Sequence, residues 1–219
     1  MNLLSMALAR SVWLCNLIDF NPRGINLYNL ILPFLVDTYK FQNFPQFKDL
    51  DEVKGIALEN GEFKNKAGDI LNIKLTLFNF GIVAENRSST SDTDLFLETL
   101  LTQLYDNFKI PHYENIIRAR DYLSQLYFST EKTLEIINPK LKTVSEFLEQ
   151  NISLCKDSHY ELSSLAFWAD PVKSTTPLNF VIERQAATQF PEKRYFSSAP
   201  LQTEKHIVLL NMMEDILGN

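Results

Sequence analysis

Cysteine is nearly absent from this chain: 219 residues hold two, Cys15 and Cys155. A secreted protein of this length stapled by disulfides would need more, so both read as reduced, buried thiols and the expected compartment is the cytoplasm. Glycine is scarce as well, at Gly24, Gly55, Gly61, Gly68, Gly81 and Gly218, and no placement fits GxGxxG or GxxxxGK[ST]. Phosphate-cradling loops of those two kinds are therefore not expected. Three histidines, His112, His159 and His206, share no zinc-ligand spacing with one another or with the cysteines. No metal and no cofactor is expected on that ground. His206 reads as an ordinary surface histidine. No GxSxG string marks a nucleophilic serine. Of two S-x-x-K strings, Ser129 to Lys132 reads as a helix cap and Ser153 to Lys156 as a helix end, where a lysine suits the dipole.

Positive charge is in deficit. Lys and Arg number 21 against 27 Asp and Glu, a formal net charge of −6. A protein built to neutralise phosphates carries a basic face, so nucleic acid is a disfavoured partner. Long apolar runs are missing too. Met1 to Ala9 is mostly apolar, but no basic residue precedes it and Arg10 interrupts it. Ile25 to Val36 contains Pro33 and falls short of the ~20 apolar residues that a membrane span requires. Neither a signal peptide nor a membrane span is expected.

What is present is core material. Hydrophobic residues make up 45% of the chain, with 16 Phe among them. A chain of this size buries roughly 70% of its unfolded surface, so it needs no metal or disulfide to fold as one globular unit, 1–219. Ser11 to Phe20 reads as a strand ended by Asn21-Pro22-Arg23-Gly24, and Ile25 to Tyr39 as a helix broken at Pro33. Lys40 to Glu52 reads as a loop. Gly55 to Leu58 leads into Asn60-Gly61, a hairpin cue, and Asp69 to Asn79 alternates as a strand. After Ile82 to Glu85, Thr90 or Ser91 caps a helix with Leu97, Leu100, Leu101, Leu104 and Phe108 on one side.

In the second half, Tyr113 to Arg120 reads as helical and Tyr122 to Phe128 as a strand. Thr130 opens a helix through Leu134, Ile137, Leu141, Val144, Leu148 and Ile152, kinked at Pro139. Tyr160 to Ala169, Leu178 to Gln185 and Arg194 to Ser198 read as strands. Thr203 begins a helix striped by Ile207, Leu210, Met213 and Leu217. The expected class is α+β, a mostly antiparallel sheet with helices packed on one face. Residues 11–108 and 119–217 both spell β-α-β-β-β-α, which suggests two pseudo-equivalent halves.

Three groups of residues carry the functional options. Glu62 and Lys64 form an E-x-K string, and Asp170 with Glu183 a carboxylate pair; either could serve a Mg²⁺-dependent nucleic-acid-processing enzyme, where acidic groups hold the ion and a lysine helps to activate water. Arg184, Arg194, Ser197 and Ser198 gather basic and hydroxyl groups ahead of a helix start, a setting that could bind an anion or nucleotide. Phe41, Phe44 and Phe47 crowd a loop, which suggests a docking surface for a protein partner or a second copy of the chain. The reading these features favour is a non-enzymatic, intracellular protein-binding or assembly subunit of a larger complex.

Overall fold

Alternation makes the first strand. In the computed structural model, which describes residues 1–20, 30–45, 55–152, 159–170 and 179–218, β1 spans Asn2–Leu14 and buries Ala9, Ser11 and Trp13 on one face. A strand over 11–20 is thus placed too late: after Leu14 the chain makes a single helical turn, α1, Leu17–Phe20. Residues 9–14 pair antiparallel with residues 81–86, and the strand ends with that pairing at Leu14.

The remaining elements are α2 (Leu32–Tyr39), β2 (Ile56–Lys64), β3 (Ile70–Phe78), β4 (Gly81–Asn86), α3 (Thr90–Phe108), β5 (Ala119–Ser129), α4 (Lys142–Asn151), β6 (Ser164–Trp168), β7 (Asn179–Arg184), β8 (Arg194–Ala199) and α5 (Thr203–Gly218). Eight strands form an antiparallel sheet in the order β2-β3-β4-β1-β5-β8-β7-β6, so the class is α+β, as the sequence predicts. The chain divides into two compact units. One is Leu8–Ser124 with Leu201–Thr203; the other is Met1–Ala7, Gln125–Pro200 and Glu204–Asn219.

The core of the unit containing Leu8–Ser124 centres on α3. Leu97, Leu100, Leu101 and Leu104 are buried, the stripe that the spacing predicts. Phe96 lies edge-on to Tyr39 at 5.0 Å and to Phe63 at 5.3 Å, a favoured aromatic arrangement. The N-cap is Ser89, one residue before Thr90. Its Oγ accepts the Asp92 N–H at 3.0 Å, and the Asp92 carboxylate accepts the hydroxyls of Ser88 and Ser89. Tyr113 to Arg120 is not a helix: a short 3-10 turn at Tyr113–Asn115 gives way to β5 from Ala119. The aromatic-rich stretch Tyr122 to Phe128 lies within β5, as expected.

Asn60-Gly61 does not turn the chain. β2 continues through it to Lys64, with a register shift between Leu58 and Gly61 and Asn60 at φ 57°. This is a β-bulge. The turn comes at Asn65–Asp69, where the Asp69 N–H donates to Asn65 Oδ1 at 2.9 Å. Gly61 serves packing instead: a Cβ there would sit 2.4 Å from the Phe41 ring.

In the other unit, Leu126, Phe128, Phe180, Ile182, Tyr195 and Leu210 are buried, with Phe128 stacked on Tyr195 at 5.7 Å. The helix expected over 130–152 is broken into 3-10 turns at Leu134–Ile137 and Pro139–Leu141 ahead of α4. Pro139 opens the second turn, so the proline divides the helix instead of kinking it. Val144 is exposed and Ser145 buried, so α4 does not present the expected stripe inward. Strands β6, β7 and β8 fall where the sequence places them, with β6 trimmed to five residues. The side chains of Ile137 and Leu217 lie outside the described residues, as do Ser153, Cys155 and Lys156.

Setting aside α1 and the 3-10 turns, the order β-α-β-β-β-α occurs from β1 to α3 and again from β5 to α5. β4 and β8 are both six residues long and begin at 81 and 194; α3 and α5 begin at 90 and 203. The same spacing separates the buried serines Ser11 and Ser124.

Candidate functional site

The E-x-K residues lie on β2. Glu62 and Lys64 are both exposed, and Glu62 pairs with Lys40 at 2.7 Å. Asp170 follows β6, whereas Glu183 lies in β7 opposite Ser164. Ser164 and Trp168 are about 13 Å apart at a strand rise of ~3.3 Å per residue, and Asp170 lies beyond Trp168. The register therefore does not bring Asp170 and Glu183 together. Among the described residues, no three His, Cys, Asp or Glu side chains gather closely enough to hold a metal ion.

The basic and hydroxyl patch is divided by the pleat. Along β8, Tyr195, Ser197 and Ala199 are buried while Arg194, Phe196 and Ser198 face the other way. Arg184 is opposite Tyr195 and shares its face, so Arg184 and Arg194 are on opposite faces, as are Ser197 and Ser198. The Arg184 guanidinium is 4.1 Å from the Phe190 ring centroid and 3.6 Å from the Glu161 carboxylate. Arg194 pairs with Glu192 at 3.2 Å.

Behind this strand is a pair that the sequence reading misses. His206 is fully buried in α5, not a surface residue, with its Nε2 2.8 Å from Ser197 Oγ. Ser197 Oγ donates its single hydrogen to the Val181 carbonyl at 2.9 Å, so it accepts from the His206 Nε2–H. The histidine is thus a donor to this serine and does not act as its base. Burial pushes His206 down to about 4. Spacing alone could have placed it inside: Thr203, His206 and Leu210 are buried at successive helical intervals.

Phe41 is 3% exposed and packs into the core beside Tyr39, so its aromatic ring is structural; Phe44 is 46% exposed; Phe47 lies outside the described residues. A second polar network comes from β1, α3 and β5. Asp94 accepts the Trp13 indole N–H at 2.9 Å on one oxygen and the Tyr122 hydroxyl at 2.9 Å on the other. Arg120 stacks over Trp13 at 3.9 Å. Burial, followed by the Asp94 charge, pushes the Tyr122 phenol up. Cys15 is pushed up to about 11 by burial, which keeps its thiol protonated and unreactive.

Strands at the two ends of the sheet order differ sharply. β2 carries the bulge, and residues 42 and 43 lie along it: the N–H groups of Gln42 and Asn43 both donate to the Glu59 carbonyl, and the Glu59 N–H donates to Asn43. Glu59, Glu62 and Lys64 add charge there. β6 has the sequence Ser-Leu-Ala-Phe-Trp, with no charge, proline or bulge. Trp168 is 70% exposed and Phe167 58%. The Arg184 N–H donates to the Ser163 carbonyl at 2.8 Å, which sets the phase of the ladder. Bonded pairs alternate in antiparallel sheets, so the main-chain groups of Ser164, Ala166 and Trp168 point away from β7.

The chain matches no known family model and no curated protein. β6 ends the strand order, and among the described residues no strand pairs along its outer side; natural sheets commonly protect such edges. Among the described residues, no helix is long and apolar enough to cross a membrane.

Proposed function

We propose that this chain is a non-enzymatic, intracellular protein-binding or assembly subunit, and that it meets its partner by strand addition along β6. The observation that carries this reading is the exposed, uncharged β6 edge with Phe167 and Trp168 beside it. Main-chain hydrogen bonds give such contacts affinity, and exposed aromatic residues give them specificity. The commitments of the polar residues fit the same reading: Arg184 is engaged by Glu161 and Phe190, and Ser197 by Val181 and His206.

The test is affinity purification of the tagged chain beside Ala166→Pro. Proline removes an outward N–H and leaves the β6–β7 bonds in place. A stoichiometric protein should accompany the parent chain and be lost from the variant. Equal recovery of the same protein by both would remove β6 from the reading.

We also infer that residues 11–108 and 119–217 are pseudo-equivalent halves. The common spacing of β4 and β8, of α3 and α5, and of Ser11 and Ser124 supports it. So does a reciprocal contact at matching helix starts: the Thr90 N–H donates to Thr203 Oγ1 at 3.0 Å, and the Thr203 N–H to Thr90 Oγ1 at 2.9 Å. Thr90→Val and Thr203→Val should each cost about 1 kcal/mol, since each leaves one buried helix N–H unpaired. Clearly unequal costs would argue against equivalence.

A further inference from the structure

We propose that the strand received by β6 is β6 of a second copy of this chain, giving a two-fold dimer through antiparallel self-pairing centred on Ala166. This inference rests on the strand-addition reading and names its partner. Three observations lead to it.

The first is register. Only Ser164, Ala166 and Trp168 turn their main-chain groups outward. An antiparallel pair of identical strands centred on Ala166 sets Ala166 opposite itself and Ser164 opposite Trp168. Every outward-facing residue then meets another outward-facing residue, giving about six main-chain hydrogen bonds, two for each of three facing pairs. Centring the pair on Leu165 or Phe167 opposes only two outward-facing pairs within β6 and gives about four bonds. The register centred on Ala166 therefore satisfies the most outward groups.

The second is charge. The chain carries a net −6, so two copies repel over much of their surface. The five residues of β6 carry no charge, so the facing pairs oppose no like charges. Leu165 would face Phe167 of the second copy, an apolar pair in the closer, non-hydrogen-bonded spacing.

The third is closure. β2, at the other end of the strand order, is bulged, charged and paired with residue 43. With β6 the one receptive edge among the described residues, self-pairing stops at two copies; two receptive edges would continue into a fibre.

The residue at the centre gives a direct test, since Ala166 is exposed and tolerates substitution within each copy. Sedimentation of the whole chain should show a concentration-dependent dimer. Ala166→Pro should raise the dimer Kd by about 30-fold, from the loss of one donor on each copy. Ala166→Glu and Ala166→Lys set like charges face to face and should each be monomeric. An equimolar mixture of the two should dimerise again, because residue 166 of one copy then faces the opposite sign on the other. Circular dichroism of each variant confirms that it is folded. A parent chain that stays monomeric to the highest soluble concentration overturns the inference, as does a dimer unaffected by Ala166→Glu or a mixture that fails to associate. A monomeric parent that still captures another protein, lost in Ala166→Pro, refutes self-pairing alone; a monomer with no β6-dependent partner refutes the strand-addition reading too.

Discussion

Acid should weaken this protein through one residue. His206 is fully buried against Ser197 and Phe180, and burial lowers it from 6.5 to about 4. The direction follows from proton binding. Between these values the unfolded chain takes up a proton at residue 206 and the folded chain does not, so stability falls as pH drops below about 6.5 and levels off below about 4. From pH 7 to pH 5 the loss attributable to His206 is roughly 2 kcal/mol, at 1.36 kcal/mol for each pH step traversed below the unfolded value. Carboxylates contribute to acid sensitivity as well, so the measurement is a difference of differences. Urea unfolding is followed at pH 7 and pH 5 for the parent chain and for His206→Gln, whose side-chain amide can still donate to Ser197 without titrating. The parent should lose about 2 kcal/mol more than the variant over that interval. Equal losses would mean that His206 does not stay neutral in the fold and would refute the reasoning.

Gly61→Ala should destabilise the chain by about 1–3 kcal/mol in the same assay, because the new Cβ would meet the buried Phe41 ring; an unchanged midpoint would show that the ring can move aside. Asp94→Ala should cost about 2–3 kcal/mol, since it strips two hydrogen-bond acceptors from Trp13 and Tyr122. Trp13 fluorescence should change in the folded variant, and a spectrum and stability equal to the parent's would show that the indole and phenol are satisfied elsewhere.

Elements with a strong local signature were legible in the sequence. The stripe Leu97, Leu100, Leu101 and Leu104 gave α3, and the alternation Ile73, Leu75, Leu77 gave β3. Failures came where a distant partner decides. Asn60-Gly61 carries hairpin chemistry, but Phe41 and residue 43 hold β2 straight past it as a bulge. Residues 2–10 look like an undirected apolar run, although β1 begins at Asn2 and its residues 9–14 pair with β4. Thr130 to Ile152 has helical spacing, yet Pro139 and the Asn138 cap cut it into turns. The sites show the same division. Arg184, Arg194, Ser197 and Ser198 are close in sequence, but the two-residue period of the strands separates each like pair onto opposite faces. The β6 edge was invisible because a strand's place in a sheet is a property of the whole order, not of its five residues.

The exchange of hydrogen bonds between Thr90 and Thr203 also bears on the order of events during synthesis. The opening N–H of α3 finds its acceptor 113 positions later in the chain. On the ribosome, α3 is therefore made before this acceptor exists, and its opening N–H faces water or a transient partner until Thr203 follows. Closing so long a loop is slow relative to forming local structure. The joint at these two threonines is thus a contact that local structure cannot complete: each N–H depends on a hydroxyl 113 positions away.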